Sequence, residues 1–403
     1  MTVILYAIPG FFLLMAIELA VDHYRQTGYY RLNDAIASLS IGMLSRVATI
    51  IKTLIPLSLY ALFAADFALF QWADSWVYWL MAFVIYDFFY YWNHRLGHEM
   101  SVLWAAHVVH HSSEEYNLTT ALRQTSGSIL NWLFFIPMAF LGVPIEMMAT
   151  VAALNLVYQF WVHTRHVGEL GELDRILVTP SNHRVHHAQN DRYIDKNYGG
   201  VFIIWDRMFG TFQPELKEDP PIYGIRSQLN SWNPLFANWH HYRQLIHDSV
   251  QTKRWKDKFR VWFGRTGWRP DDVLAKLPPK ARFNPDTFQK FEIVLSNHAK
   301  VYALIQLLLS LVLTVAILLT INTFNMTEQL VACTVLVLVL VAQGALLEGK
   351  SWFVFAESLK WLALGAMVVF MPVALWLSWT MIGLAIISAA WALLHRSDPV
   401  LSN

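Results

Sequence analysis

Long apolar runs alternate with shorter polar stretches along this 403-residue chain. Residues 3–21 form an apolar run long enough to span a bilayer. With no basic n-region and no small-residue cleavage site, that run is expected to be an anchor and not a removed signal. A polar stretch at 22–34 leads to a second apolar run at roughly 47–70, and a short loop at 71–75 leads to a third at 76–92. Residues 129–148 and 149–162 predict a hairpin turned near Gly142-Val143-Pro144, each arm short for a full crossing. Residues 163–299 are more polar, and the Pro- and Gly-containing segments 263–270 and 277–285 suggest a linker at the end of that region. A second apolar block follows at roughly 301–321, 330–347, 353–371 and 373–394. The expected division is therefore a membrane and cytosolic catalytic domain over 1–299 and a transmembrane helical block over 300–403.

Charge orients these runs. The loops at 22–34, 93–128, 163–299 and 348–351 hold nearly all of the basic residues, and those at 71–75 and 322–329 hold none. The positive-inside rule then places 93–128 and 163–299 in the cytoplasm, with about nine crossings or half-crossings. Whether the host is a bacterial inner membrane or the endoplasmic reticulum stays open. Trp232, Trp239, Trp255, Trp262 and Trp268 among basic residues predict that 230–270 lies along the headgroup region.

Composition agrees with a membrane protein: 56% of residues are hydrophobic. A net charge of +1 gives no sign of nucleic-acid binding, and the single Cys333 excludes an internal disulfide.

The polar loops carry the candidate chemistry. Histidines recur as His94-x-x-x-His98, His107-x-x-His110-His111 and His183-x-x-His186-His187, which accounts for eight of the chain's sixteen. Residues three and four apart share one face of a helix, so each box aims its imidazoles into one space. Eight clustered imidazoles could not all be protonated, whereas neutral imidazole is a good ligand for Zn, Cu, Fe or Ni. Eight ligands exceed one tetrahedral zinc, so two metals are implied. The zinc-protease pattern H-E-x-x-H fails because Arg95 stands where glutamate should be, and no Glu-x-x-His pair of a carboxylate-bridged di-iron bundle occurs. Iron is the leading candidate for this all-α, multi-span bundle with a cytosolic histidine-rich di-metal site.

Polar residues inside apolar helices add to the site. Asp87 lies seven residues before His94 on the same face and is expected to support a metal-bound histidine from behind. Asn155, Gln159 and His163 step by four along one helix, which makes His163 a ninth candidate ligand. His166 is left open between ligand and interfacial residue. Glu99 is expected to hydrogen-bond a ligand. His23, His240, His241, His247, His298 and His395 are expected at the surface or interface.

The three boxes resemble those of the fatty acid hydroxylase/sterol desaturase superfamily. The longer strings WAAHVVHHSSEEYNLTTALRQ (104–124), YQFWVHT (158–164), TPSNHRVHH (179–187) and IDKNYGGVFIIWDRMFGTF (194–212) resemble its alkylglycerol monooxygenase branch. The resemblance covers nearly the whole chain, more loosely after Gly264. It implies two ferrous ions on the eight box histidines, with Glu99 needed nearby. It further implies hydroxylation of the alkyl carbon next to the ether oxygen of an alkylglycerol lipid, releasing a fatty aldehyde and a glycerol derivative. Animal members of the branch take electrons from tetrahydrobiopterin. No pterin motif, dinucleotide-binding G-x-G-x-x-G or cytochrome b5-like His-Pro-Gly-Gly occurs, so an external electron donor is expected. Two alternatives remain: a hydroxylase or desaturase of a fatty acyl, sterol or aminolipid substrate, and a non-catalytic membrane metal binder holding structural zinc.

Overall fold

The structure is a computed structural model and describes residues 2–52, 54–127, 130–277, 283–370 and 375–394. Among the described residues it is helical throughout, with short 3-10 turns and isolated bridges but no extended strand. The helices are α1 (Thr2–Arg25), α2 (Leu32–Lys52), α3 (Leu54–Asp66), α4 (Trp76–Glu99), α5 (Ser101–His111) and α6 (Leu118–Ala121). Then come α7 (Ile136–Phe140), α8 (Ile145–Trp161), α9 (Pro180–His186), α10 (Ile204–Phe209), α11 (Pro234–Gln251), α12 (Trp255–Phe263) and α13 (Asp271–Leu274). The chain closes with α14 (Asn297–Thr320), α15 (Met326–Leu347), α16 (Phe353–Phe370) and α17 (Leu375–Leu394). Among the described residues, three stretches are long and apolar enough to cross a membrane: Tyr6–Arg25, Asn297–Thr323 and Met326–Leu347.

The chain forms two compact units. The first comprises Met1–Tyr30, Ala48–Leu229 and Asn238–Gln289, and the second Arg31–Val47, Asn230–Ala237 and Lys290–Asn403. In the first unit α4 is the central helix, packed against α5 and α8. Its apolar half buries Ala82 and Tyr86 in a core with Tyr60, Met138, Ala139, Met147 and Val151, and Tyr86 stacks on Phe135 at 4.7 Å. Its polar half carries the first histidine box.

The break between α4 and α5 has a clear cause. Met100 is extended (φ −114°, ψ 124°), which stops the helix and redirects the chain. The last carbonyls of a helix have no partner inside it. Thr266 supplies them: its hydroxyl donates to the His98 carbonyl (2.5 Å) and its amide to that of Glu99 (3.1 Å). The Ser101 amide in turn donates to the Gly264 carbonyl (3.1 Å). Residues 264–268 are therefore not the linker that their Gly and Pro content suggests but a clip on the helix that carries His94 and His98. Much of the second suggested linker, 278–282, lies outside the described residues.

Other departures from the hydropathy pattern have local reasons. α2 begins at Leu32 and not near 47, because its buried face mixes Ile36 and Ile41 with small hydroxyl residues, Ser38 and Ser40. The hairpin does turn at Gly142-Val143-Pro144, but its first arm is split by a 3-10 turn at Asn131–Phe135 ahead of Pro137. Trp232 is not interfacial; at 4% exposure it belongs to the core of the second unit. His241 is likewise buried, and burial lowers its pKa to about 4. His395 lies outside the described residues.

In the second unit, Ile36, Ala37, Leu295, Ala299, Tyr302, Ala345, Leu346 and Phe353 join Trp232 in the core. A polar ladder runs through its helices. The Lys360 ammonium donates to Glu357 Oε1 (2.5 Å) and Gln306 Oε1 (2.6 Å), Gln306 donates to Ser388 (2.9 Å), and Ser310 donates to Gln343 (3.2 Å). Bonds of this kind join helices where lipid offers no competing partner.

Gly142 tests the hairpin. Its φ is +85°, and a Cβ there would stand 2.0 Å from the Phe70 carbonyl oxygen. Gly142→Ala is expected to lower the detergent-solubilised melting temperature, with a left-handed strain of about 1–3 kcal/mol before any steric cost. Gly168→Ala, in open space, should leave it unchanged. Equal melting of the two variants would refute the close approach.

Candidate metal centre

The structure gathers all nine histidines singled out by their spacing into two groups. His94, His98, His107, His111 and His186 form one, and His110, His163, His183 and His187 the other, with the ligand atoms of each within 4.8 Å of one another. Helical periodicity explains the division. Each i,i+4 pair stays together: His94/His98 on α4 and His107/His111 on α5 enter the first group, and His183/His187 at α9 the second. The odd member of each H-x-x-H-H box points the other way, so His110 joins the second group and His186 the first. His163, just past the end of α8, completes the second.

Backbone carbonyls orient these rings. Nδ1 of His94 faces the Tyr198 carbonyl (2.8 Å), that of His110 faces Arg123 (3.0 Å), that of His163 faces Gln159 (2.7 Å) and that of His186 faces Lys196 (3.0 Å). A carbonyl only accepts, so each Nδ1 carries the proton and each Nε2 presents a lone pair. Those lone pairs converge. Nε2 of His107 lies 3.1 Å from Nε2 of both His94 and His111, and Nε2 of His163 lies 3.2 Å from that of His183 and 3.4 Å from that of His110. Nε2 of His98, His186 and His187 is buried with no hydrogen-bond partner.

Electrostatics point the same way. Burial holds His107, His111, His183, His186 and His187 well below their usual pKa, assisted by the neighbouring imidazoles, and lowers His110 to about 4. Neutral imidazoles with orphaned, converging lone pairs are a poor arrangement for a core and a fitting one for cations. The donor set fits two metal ions, one per group.

The loop at 198–202 is the main support behind the first group. Asp206, buried and raised to about 6, accepts from the Tyr198 and Gly199 amides (2.7 and 2.8 Å) and from the Thr211 hydroxyl (2.6 Å). Asp87 accepts from the Val201 and Phe202 amides (2.8 and 3.0 Å), the Trp205 indole (2.9 Å) and Asn155 (2.7 Å). Asp87 thus forms no hydrogen bond to a histidine. It fixes the loop whose Tyr198 carbonyl orients His94, one step further back than its spacing suggests. Gly200 is needed because a Cβ would meet the Asp87 carboxylate and the Tyr90 ring, each at 2.8 Å. The stripe of Asn155 and Gln159 continues this network, with Gln159 donating to Asn155 (2.6 Å) and accepting from Tyr90 (2.8 Å).

Glu99 stands outside both groups. It pairs with Arg95 (3.0 Å) and receives a long bond from the Tyr198 hydroxyl (3.4 Å). His166 is also outside, 3.8 Å from Asp22 and packed on Tyr29. Sequence reasoning passed over Asp206 and Glu18. Glu18 is buried near the end of α1 and accepts from the Thr164 hydroxyl (2.5 Å), the Leu118 amide (2.8 Å) and the Tyr30 hydroxyl (2.5 Å), bracing the chain beside His163. The available signal was Glu18 and Asp22 four apart in an apolar run.

Comparison with known proteins places this arrangement. The fatty acid hydroxylase family model matches residues 79–211, which hold all nine histidines, Asp87 and Asp206. The chain is 39% identical over 311 residues to alkylglycerol monooxygenase of Homo sapiens, covering 76% of this chain and 68% of that protein. It is 41% identical over 268 residues to alkylglycerol monooxygenase of Danio rerio, covering 66% of this chain and 59% of that one. An ornithine lipid hydroxylase of Rhizobium tropici is 30% identical over 173 residues, 39% of this chain and 49% of that one. No solved structure matches. With its apolar helices, the chain is an integral membrane protein, and it belongs to the fatty acid hydroxylase family, among relatives named alkylglycerol monooxygenase.

Proposed function

We propose that the protein is a di-iron, dioxygen-dependent monooxygenase of alkylglycerol ether lipids. The observation that carries the metal part is the convergence of nine neutral imidazoles, with three Nε2 atoms buried and unpartnered. The substrate part rests on the relatives' name at 39–41% identity. The two histidine groups would hold the irons, which would supply dioxygen chemistry at the alkyl carbon next to the ether oxygen, where the oxygen lone pair favours hydrogen loss.

The balance is one ether lipid, one dioxygen, two electrons and two protons giving a hemiacetal and water. The hemiacetal then breaks its C–O bond, yielding a fatty aldehyde and the free glycerol hydroxyl. The protein's residues supply position and protection. The carbonyls of Tyr198, Arg123, Gln159 and Lys196 keep protons on Nδ1 and lone pairs on Nε2. Asp87 and Asp206 hold the 198–202 loop, and Glu99 steadies Arg95 and Tyr198 at its edge. Burial excludes water from the centre.

The two electrons come from an external donor, tetrahydrobiopterin or another reductant. The charge of the loops supports a centre on the cytoplasmic side, where a lipid would approach from the bilayer. Catalysis is assigned to 1–299, with 300–403 a membrane block.

Metal and product analysis on purified protein tests the reading. With ferrous iron, oxygen, an alkylglycerol and a pterin or chemical reductant, two irons per chain and fatty aldehyde release are expected. A hydroxylated or desaturated lipid without aldehyde would move the substrate, and zinc with no oxygen uptake would sink the enzyme. His186→Ala should abolish turnover in protein that still inserts in the membrane; full activity there would remove His186 from the metal set.

Each Asp87 oxygen accepts two of the four donors, so Asp87→Asn leaves two of them without an acceptor, a penalty of about 1–3 kcal/mol apiece. It is expected to lower iron per chain below two while the helical content persists. Unchanged iron content would detach the 198–202 loop from support of the centre.

A further inference from the structure

The function above does not use α12 or the part of α11 from Asn238 onward, yet both are built in an unusual way. Their inner faces are anchored. Val261 and Leu245 pack on Ala105 of α5, with Tyr242, Trp262 and Trp268 around them. The corner between the helices is pinned by Arg269 on Asp248 (2.7 and 3.0 Å), by Lys258 Nζ on the Ser249 carbonyl (2.6 Å) and by Thr252 on Asp272 (3.2 Å).

Their outer faces are apolar. Trp255, Phe259 and Phe263 stand four residues apart on α12 and are 74%, 66% and 58% exposed. Trp239, Ile246 and Val250 extend the apolar surface along α11 at 52%, 39% and 69% exposure. Large exposed aromatics on one side of a short helix mark an interaction surface.

Charge identifies the partner. Arg243, Lys253, Arg254, Lys256, Arg260 and Arg265 are all exposed around this face. Between 239 and 270 the acidic residues are Asp248 and Asp257, both buried; Asp271 and Asp272 follow at the corner, and Asp195 pairs with Arg265 at 3.4 Å. A rim in which cations outnumber exposed carboxylates, around an aromatic stripe, matches a lipid interface, where the rings enter the acyl boundary and the cations meet anionic headgroups. We propose that α12, with the adjoining part of α11, lies in the headgroup layer of the host bilayer and binds anionic phospholipid. Through Val261 and the 264–266 clip, this contact bears directly on α5 and on the end of α4. The proposal rests on the shape and charge of this segment, not on the reaction assigned to the histidines.

The test uses the full chain with its only cysteine removed (Cys333→Ser) and Phe259→Cys carrying an environment-sensitive fluorophore, in nanodiscs. In phosphatidylcholine discs containing phosphatidylglycerol the label is expected to be blue-shifted and several-fold brighter than the free dye in buffer. In discs of phosphatidylcholine alone the change should be smaller. Adding Lys256→Glu and Arg260→Glu should return the label towards its aqueous emission in the anionic discs. A label at Trp255→Cys repeats the measurement should the first variant fold poorly. Aqueous emission at both sites in both discs would overturn the proposal, and equal shifts in the two discs would overturn its electrostatic half. Quenching by an added acidic protein, with no lipid effect, would give the face to a protein partner and overturn it as well.

Discussion

Everything around the centre depends on keeping imidazole nitrogens buried, neutral and facing one another. Lone pairs about 3 Å apart with no proton between them repel, and removing them from water makes this worse. The fold meets the problem from behind. Four Nδ1–H groups are tied to main-chain carbonyls, so the rings cannot flip the unpaired nitrogen away. Those carbonyls must themselves be immobile, and most lie in non-helical segments that have no regular hydrogen bonding to stiffen them.

Rigidity in those segments comes from buried carboxylates. Asp87 and Asp206 between them take the amides of Tyr198, Gly199, Val201 and Phe202, and Glu18 takes that of Leu118 together with the Thr164 hydroxyl. A carboxylate accepting several N–H bonds substitutes for a strand partner, which suits a chain whose described residues form no sheet. Arg123 acts similarly from the cationic side: fully buried, it donates to the Val109 carbonyl and the Ser112 hydroxyl while its own carbonyl orients His110.

Much of this was readable in the sequence because helical spacing is a local property. His94/His98, His107/His111 and His183/His187 sit four apart, and no tertiary information is needed to put each pair on one face. The step of four from Asn155 through Gln159 to His163 was legible for the same reason. What spacing could not give was the partner across space. Asp87 shares a face with His94, yet three of its four donors come from residues more than a hundred positions later. The clip by Thr266 looked like a linker because Gly and Pro mark loops without saying what a loop touches. His241 looked like one more surface histidine because only the neighbours packed around α11 make it buried.

The division of each H-x-x-H-H box between the two groups bears on how such a site can change. One inserted or deleted residue within α5 turns everything beyond it by about 100° around the helix axis. It would carry a histidine of each group out of place together, since His110 and His111 are consecutive and serve different groups. The same holds for His186 and His187. A change of length ahead of the paired histidines in these two boxes therefore disturbs both groups at once, whereas one in α4 reaches the first group alone through His94 and His98, and one in α8 the second alone through His163. At the two H-x-x-H-H boxes, drift that spares one group is therefore confined to point substitutions, because length variation there reaches both.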